Sequence, residues 1–235
     1  MSPFGLKADA TFATVGDDIQ IRWVDSAKAY EVQFPGKDWE RLAISKVYTG
    51  SEVHNGTSGV EFVVSTSDAF SYTAYGFYLL TADSKTPGVF LYGIPTTPDQ
   101  VPTTGTATYS AMVRSAPGAT SGFSGYTLVG SAELTFDFGG GTLAGYLQPI
   151  IVDGWGISFD LGRYDFTQTI FSQGSTTFSG RFIVPAGAST ADSGFNGRFT
   201  GPNAAELMAE WHLPYHDPYS QTWENLSGVL IGKKN

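Results

Sequence analysis

The densest collection of groups able to hold a ligand lies near the C-terminus, in Trp211-His212-Leu213-Pro214-Tyr215-His216-Asp217-Pro218-Tyr219. Two imidazoles and two phenols in so short a span could coordinate a transition metal or approach a haem edge. Neutral imidazole is the commonest nitrogen ligand, and His or Tyr can be axial to haem iron. Strand alternation puts His212 on an outer face or at a strand end, and Pro214 then releases the chain into a loop carrying Tyr215, His216 and Tyr219. The competing reading is a polar hairpin whose rings pack locally, because a histidine spacing of four suits a helix face better than a loop after proline. The remaining histidine, His54, lies in Gly50-Ser51-Glu52-Val53-His54-Asn55-Gly56, which reads as a hairpin tip. There it is either an exposed ligand group or simply a turn residue.

Catalytic arrangements are not visible. Without cysteine there is no thiolate nucleophile or thiolate metal site, and no Ser flanked by glycines sits in the strand-turn-helix setting of a nucleophile elbow. Glu206 and Glu210 fall on one strand face, but it is the polar face, so the pair is expected to be solvated rather than to act as a glycosidase pair. The glycine-rich loops lack the Lys-Ser/Thr ending of a phosphate cradle. The chain is therefore expected not to be an enzyme.

The elements that must position these groups are strands. Phe178-Ser179-Gly180-Arg181-Phe182 recurs as Phe195-Asn196-Gly197-Arg198-Phe199. In each copy the two rings and the glycine share one face while the polar pair shares the other. A glycine between two inward rings lets a tightly curved sheet close, which points to a small antiparallel barrel. Composition agrees: 235 residues contain 29 Gly and 12 Pro, with 14% aromatic and only 15% charged residues. A net charge of −9 with 13 scattered Lys and Arg excludes nucleic-acid binding, which needs a basic stripe. No apolar run approaches the ~18 residues of a membrane helix, and no signal peptide is visible, so a mature chain trimmed of its export signal is expected.

Residues 1–100 read as a small β-domain with strands near 19–24, 29–34, 39–44, 60–64, 75–81 and 89–94. Tyr30, Val32 and Phe34 define one buried face, and Asn55-Gly56 is the best tight-turn signal. The proline-rich stretch from Ile94 to Gly105 reads as a linker with the boundary between Pro95 and Pro102. Residues 101–235 supply eight strand candidates, at 104–114, 128–138, 142–150, 162–171, 176–184, 193–201, 205–213 and 223–232. Eight is the number at which side chains just fill a barrel. Ala107, Tyr109, Ala111 and Val113, then Ala132, Leu134, Phe136 and Phe138, alternate with polar residues, so the expected barrel is apolar inside and polar outside. The expected inward set is Tyr109, Leu134, Phe136, Phe178, Phe182, Phe195, Phe199 and Trp211. Gly139-Gly140-Gly141 is an obvious hairpin turn. The expected fold is all-β, an N-terminal β-domain followed by an eight-stranded antiparallel barrel.

The segment YGIPTTPDQVPTTGTATYSAMV at 92–113, the strand pair ending in FNGRFTGPNAAELMAEW and the closing GVLIGKK resemble the transferrin-binding-protein-B-like bacterial surface lipoproteins and the related hemophilin-like proteins. Gly201-Pro202-Asn203-Ala204-Ala205-Glu206 is similar to the Gly-x-x-Ala-x-Glu signature of that group. Two departures stand out: the chain has one lobe where transferrin receptors have two, and Met208-Ala209 replaces the usual glycine-rich continuation. The resemblance implies a handle-plus-barrel lobe, exported to the bacterial outer-membrane surface or secreted, with a lipid anchor allowed in the precursor. It implies loop-mediated capture of haem or an iron-carrier protein, with His54, His212, Tyr215, His216 and Tyr219 as candidate ligand groups. No cofactor is required, and haem enters as a bound ligand. Two alternatives stay open: a lipocalin-like carrier of an apolar small molecule, and a structural module partnering an outer-membrane transporter through exposed Phe123, Trp155 and Tyr219.

Overall fold

A computed structural model of the chain describes residues 4, 6–15, 19–57, 59–65, 69–80, 87–115, 127–217 and 221–235. The N-terminal part contains β1 (Ala10–Thr11), β2 (Ala13–Val15), β3 (Gln20–Val24), β4 (Ala29–Gln33), β5 (Glu40–Arg41), β6 (Ala43–Tyr48), β7 (Ser51–Asn55), β8 (Val60–Ser65), β9 (Thr73–Leu80) and β10 (Pro87–Gly93). They form two sheets, ordered β1-β3-β4-β5 and β2-β10-β9-β8-β7-β6. Ile21, Trp23, Tyr30 and Val32 of the first sheet meet Phe62, Val64, Phe90 and Tyr92 of the second in one buried cluster. On the smaller sheet, Arg22 and Arg41 both hold Glu31, at 2.6 and 2.9 Å, tying β3 and β5 to the strand between them.

Because strand side chains alternate, the reverse face of the second sheet is apolar too. Leu91, with Ala13, Val15, Tyr75 and Val89, packs against Met112, Met208, Val229 and Ile231 of the C-terminal part. This sheet is thus the middle of three layers, a position that requires both faces to be buried.

The C-terminal part contains β11 (Thr106–Arg114), β12 (Thr127–Asp137), β13 (Thr142–Val152), β14 (Ser158–Asp160), β15 (Tyr164–Ile170), β16 (Thr177–Phe182), β17 (Gly194–Thr200), β18 (Glu206–His216) and β19 (Trp223–Lys234). The order β12-β11-β19-β18-β17-β16-β15-β13, with β13 pairing back on β12, closes an eight-stranded antiparallel barrel, and β14 adds to β13 outside the ring. All eight expected inward residues are buried. Phe136 shows how the lumen is filled: from β12 its ring meets Phe199 at 4.8 Å, Phe171 and Phe178 at 5.1 Å and Tyr109 at 5.6 Å between centroids. Each such ring pair adds about 0.5–1.5 kcal/mol beyond area burial.

The two repeats explain the curvature. Phe178 pairs with Gly197, and Gly180 with Phe195. Each ring lies over the partner's glycine, so neither strand spends space on two rings at one level. A side-chain carbon built on Gly180 would stand 2.5 Å from the Phe195 ring.

Three expectations need correction. The stretch around His54 is strand β7, not a hairpin tip; the turn lies after it, where Gly56 N–H bonds Val60 O at 2.9 Å. Strand β18 runs through Pro214 to His216 rather than ending before it. Pro214 pairs with Asn225 of β19 but lies beyond the end of β17, whose pairing starts with Gly194 opposite His212. One edge of β18 is unpaired there, so a residue without an N–H is tolerated. The 94–105 stretch is not a free linker either: Thr96 N–H donates to Phe199 O at 3.1 Å and Gly201 N–H to Ile94 O at 2.9 Å.

Candidate binding site

The barrel strands and their register decide what the candidate ligand groups can reach. His54 is 1% exposed. Its Nε2 lies 3.2 Å from Glu52 Oε2, and its ring is edge-on to Tyr30 at 5.2 Å. Tyr30 in turn shares a hydrogen bond with Tyr92 at 3.1 Å. Burial lowers the His54 pKa, with Glu52 pulling the other way. This is a core histidine between the two handle sheets, and the expectation of an exposed ligand group fails because β7 is a strand paired on both sides, by β6 and β8, and not a tip.

On β18 the pattern is split. His212 and His216 are exposed while Tyr215 is fully buried. Tyr215 points inward and donates its hydroxyl to Asp217 Oδ2 at 3.1 Å. His212 and His216 share the outer face four residues apart, about 13 Å along an extended strand, so they cannot bind one iron together. Tyr219 lies outside the described residues. Among the described residues no group of three His, Asp or Glu side chains could hold a metal ion. The histidines therefore do not fit a two-histidine haem site, and the continuing strand is the reason.

His216 nevertheless stands at a defined place. Chain direction puts the ends of β13, β16 and β18 and the starts of β15, β17 and β19 at one end of the barrel. A cleft of about 450 Å³ opens there, lined by Phe159, Leu161, Tyr164, Pro185, Tyr215, His216 and Trp223 together with Ser158 and Asp160. The His216 and Trp223 rings meet edge to face at 5.5 Å. Burial against this apolar wall raises the Tyr164 hydroxyl to about 12. The β13–β14 hairpin at the same end carries Trp155 and Ile157, which are 87% and 53% exposed. Asp153 braces that hairpin by accepting Trp155 N–H at 2.9 Å and Ile157 N–H at 2.7 Å. Ile183, after β16, is 58% exposed. Trp155 was legible as an exposed loop aromatic; the cleft was not, because its walls come from four separate segments.

At the opposite end, the Gly201–Glu206 signature joins handle to barrel. Glu206 was expected to be solvated and is instead 1% exposed, since β18's outer face is covered by the handle at this point. Its two oxygens accept Ser71 N–H at 2.7 Å and Tyr72 N–H at 3.0 Å. Gly201, at φ 72° and ψ 173°, adopts backbone open essentially to glycine alone, and a side chain there would strike the Tyr72 ring. Thr96 Oγ1 donates to Gly201 O at 2.6 Å, and the hydroxyls of Thr73 and Thr200 meet at 2.5 Å. The motif is thus a structural joint.

Compared by sequence, the chain matches no family model and no curated protein. Compared by structure, it superposes on transferrin-binding protein B from Haemophilus parasuis, in one variant at TM-score 0.52 and 18% identity over 98% of this chain and 46% of that one. A second variant of the same antigen gives TM-score 0.52 and 16% identity over 97% and 45%. The transferrin-binding protein B of serogroup B Neisseria meningitidis also matches, at TM-score 0.46 and 15% identity over 97% and 44%. The chain spans about half the length of these solved structures. A strand-built handle docked on an eight-stranded barrel, superposable over 97–98% of this chain on the Haemophilus parasuis structures, gives this chain the fold of a transferrin-binding-protein-B-like lobe.

Proposed function

We propose that the chain is a non-catalytic binding protein of the bacterial cell surface that serves iron acquisition, capturing a client protein with the barrel end that carries Trp155. The observation that carries this reading is the contrast between the two ends and the lumen. The lumen is occupied by mutually packed rings, so it leaves no room for the apolar cargo of a lipocalin-like carrier. The joint end is consumed by handle contacts. At the remaining end, Trp155, Ile157, Ile183 and Trp223 are exposed beside an apolar cleft. Exposed aromatic and aliphatic groups around a pocket are what a protein partner's hot spot needs.

The likeness to proteins named for binding transferrin favours an iron-carrier protein as client. Haem is the second ligand considered, with His216 as the histidine beside the cleft. The purified chain would be immobilised and exposed to iron-loaded and iron-free transferrin, and separately titrated with hemin while recording absorption. Saturable carrier binding supports the reading. A Soret shift that His216→Ala removes, without carrier binding, would move it to haem capture. Neither signal, with the protein folded, would overturn it.

A further inference from the structure

Two opposite charges face one cleft without meeting each other. Where β2 crosses the outer wall of the barrel there is a second cleft, of about 320 Å³, lined by Thr14 and Val15 from the handle and Thr177, Asn196, Arg198 and Glu210 from the barrel. Arg198 lines this cleft, while its Nε is enclosed by protein and has no hydrogen-bond partner among the described residues. Register places the charges: Arg198 is opposite Met208, and Asn196 is opposite Glu210. Arg198 and Glu210 are therefore diagonal neighbours on one face, about 7–8 Å apart at the backbone. No ion pair joins them among the described residues.

We infer that this cleft is a binding site for a small zwitterion, an amino acid or short peptide, whose carboxylate sits on Arg198 and whose ammonium faces Glu210. The guanidinium fork suits a carboxylate, which can accept two parallel N–H bonds. Glu210 beside it, in a chain of net charge −9, disfavours phosphate or any other multiply charged anion. A simple monocarboxylate would leave Glu210 facing the cleft uncompensated. The hydroxyls of Thr14 and Thr177 and the Asn196 amide offer further bonds to a peptide unit. The cleft continues into a smaller one of about 270 Å³ that shares Thr177, Asn196 and Gly197 and is walled by Ile170 and Phe171, giving an apolar side chain a place to lie. This site is on the barrel flank and does not depend on the client-binding reading of the barrel end.

Isothermal titration calorimetry of the full chain would use L-leucine, glycyl-L-leucine, N-acetyl-glycyl-L-leucine and glycyl-L-leucinamide. At least one of the two free zwitterions is expected to bind saturably, with leucine against dipeptide deciding between amino acid and peptide. Both capped forms should bind at least about tenfold more weakly than the free dipeptide if that is the ligand. Arg198→Met should abolish binding, Arg198→Lys should weaken it, and Glu210→Gln should erase the preference for a free amine. Circular dichroism melts would report whether each variant folds; if Arg198→Met does not, the Lys and Gln variants and the capped ligands carry the test. No saturable heat from either zwitterion, equal binding of the capped forms, or unchanged binding in the folded variants would overturn the proposal.

Discussion

The carboxylate of Glu206, at the first residue of β18, accepts the backbone N–H of Tyr72 at 3.0 Å across the boundary between handle and barrel. Its other oxygen takes the Ser71 N–H at 2.7 Å. Both oxygens are therefore acceptors, and both donors are backbone groups that no rotamer change can redirect.

Glu206→Gln tests this joint with almost no change of volume. The amide nitrogen must face one of the two N–H groups, turning an acceptor into a donor and leaving a buried donor unpaired. Hydrogen bonds to charged groups are worth about 1.5–3 kcal/mol each, so a loss of that size in urea unfolding is expected. Faster amide exchange at Ser71 and Tyr72 should accompany it. Unchanged stability would show that the joint is held by its other contacts, the Leu91–Met208 packing and the hydrogen bonds of Thr96 and of Thr73 with Thr200.

Gly180→Ala should damage the barrel although the change is one methyl group. The added carbon would meet the Phe195 ring at 2.5 Å, and that ring is already in contact with Phe166 and Phe182. Overpacking of this kind costs about 1–3 kcal/mol. Shrinking Phe195 to Leu in the same chain should recover part of the loss, which a thermal-unfolding double-mutant cycle would read as a coupling energy. Additive effects would mean that the ring moves aside freely.

The barrel was legible because its strands are buried on one face only. Alternation then shows directly in residues such as Tyr109, Leu134 and Phe136, and all eight expected strands are found. Legibility failed where a second layer covers the outer face. Met208 breaks alternation because the handle packs on it, and Glu206 reads as solvated because its backbone donors lie far away along the chain. His54 misled for a related reason: Asn55-Gly56 marks a real turn, but only coordinates show that the residue before it is tucked between two sheets. The candidate ligand cluster around His212 depended on Pro214 ending a strand. The free edge beyond β17 is a tertiary fact with no local signal.

Trp155→Ala should separate binding from folding. The side chain is 87% exposed, so its loss should leave unfolding within about 0.5 kcal/mol. If the barrel end meets a protein client, truncating an exposed tryptophan in the contact should cost about 2 kcal/mol or more of affinity. Surface plasmon resonance on wild-type and variant chains, with unfolding curves alongside, would check both halves. Full affinity in the variant would move the contact away from the β13–β14 hairpin.

His54 should make the handle acid-sensitive. Burial lowers its pKa below 6.5, with the Glu52 carboxylate opposing, so the native chain holds the ring neutral where the unfolded chain binds a proton. Tyr30, whose ring faces His54, and Tyr92 behind it do not reverse this: both are raised by burial and stay neutral. Where the unfolded state binds more protons, stability rises with pH. The contribution is therefore complete above about pH 6.5 and is lost as pH falls from there toward the lowered native value. Urea midpoints from about pH 7.5 down to about 5.5, for wild type and His54→Gln, would isolate it, because carboxylate titrations common to both cancel. The wild type should lose more stability than the variant over that window. An equal loss would mean that Glu52 just offsets burial; a wild type that gains stability relative to the variant on acidification would mean that Glu52 outweighs burial and holds the imidazole charged inside the sandwich.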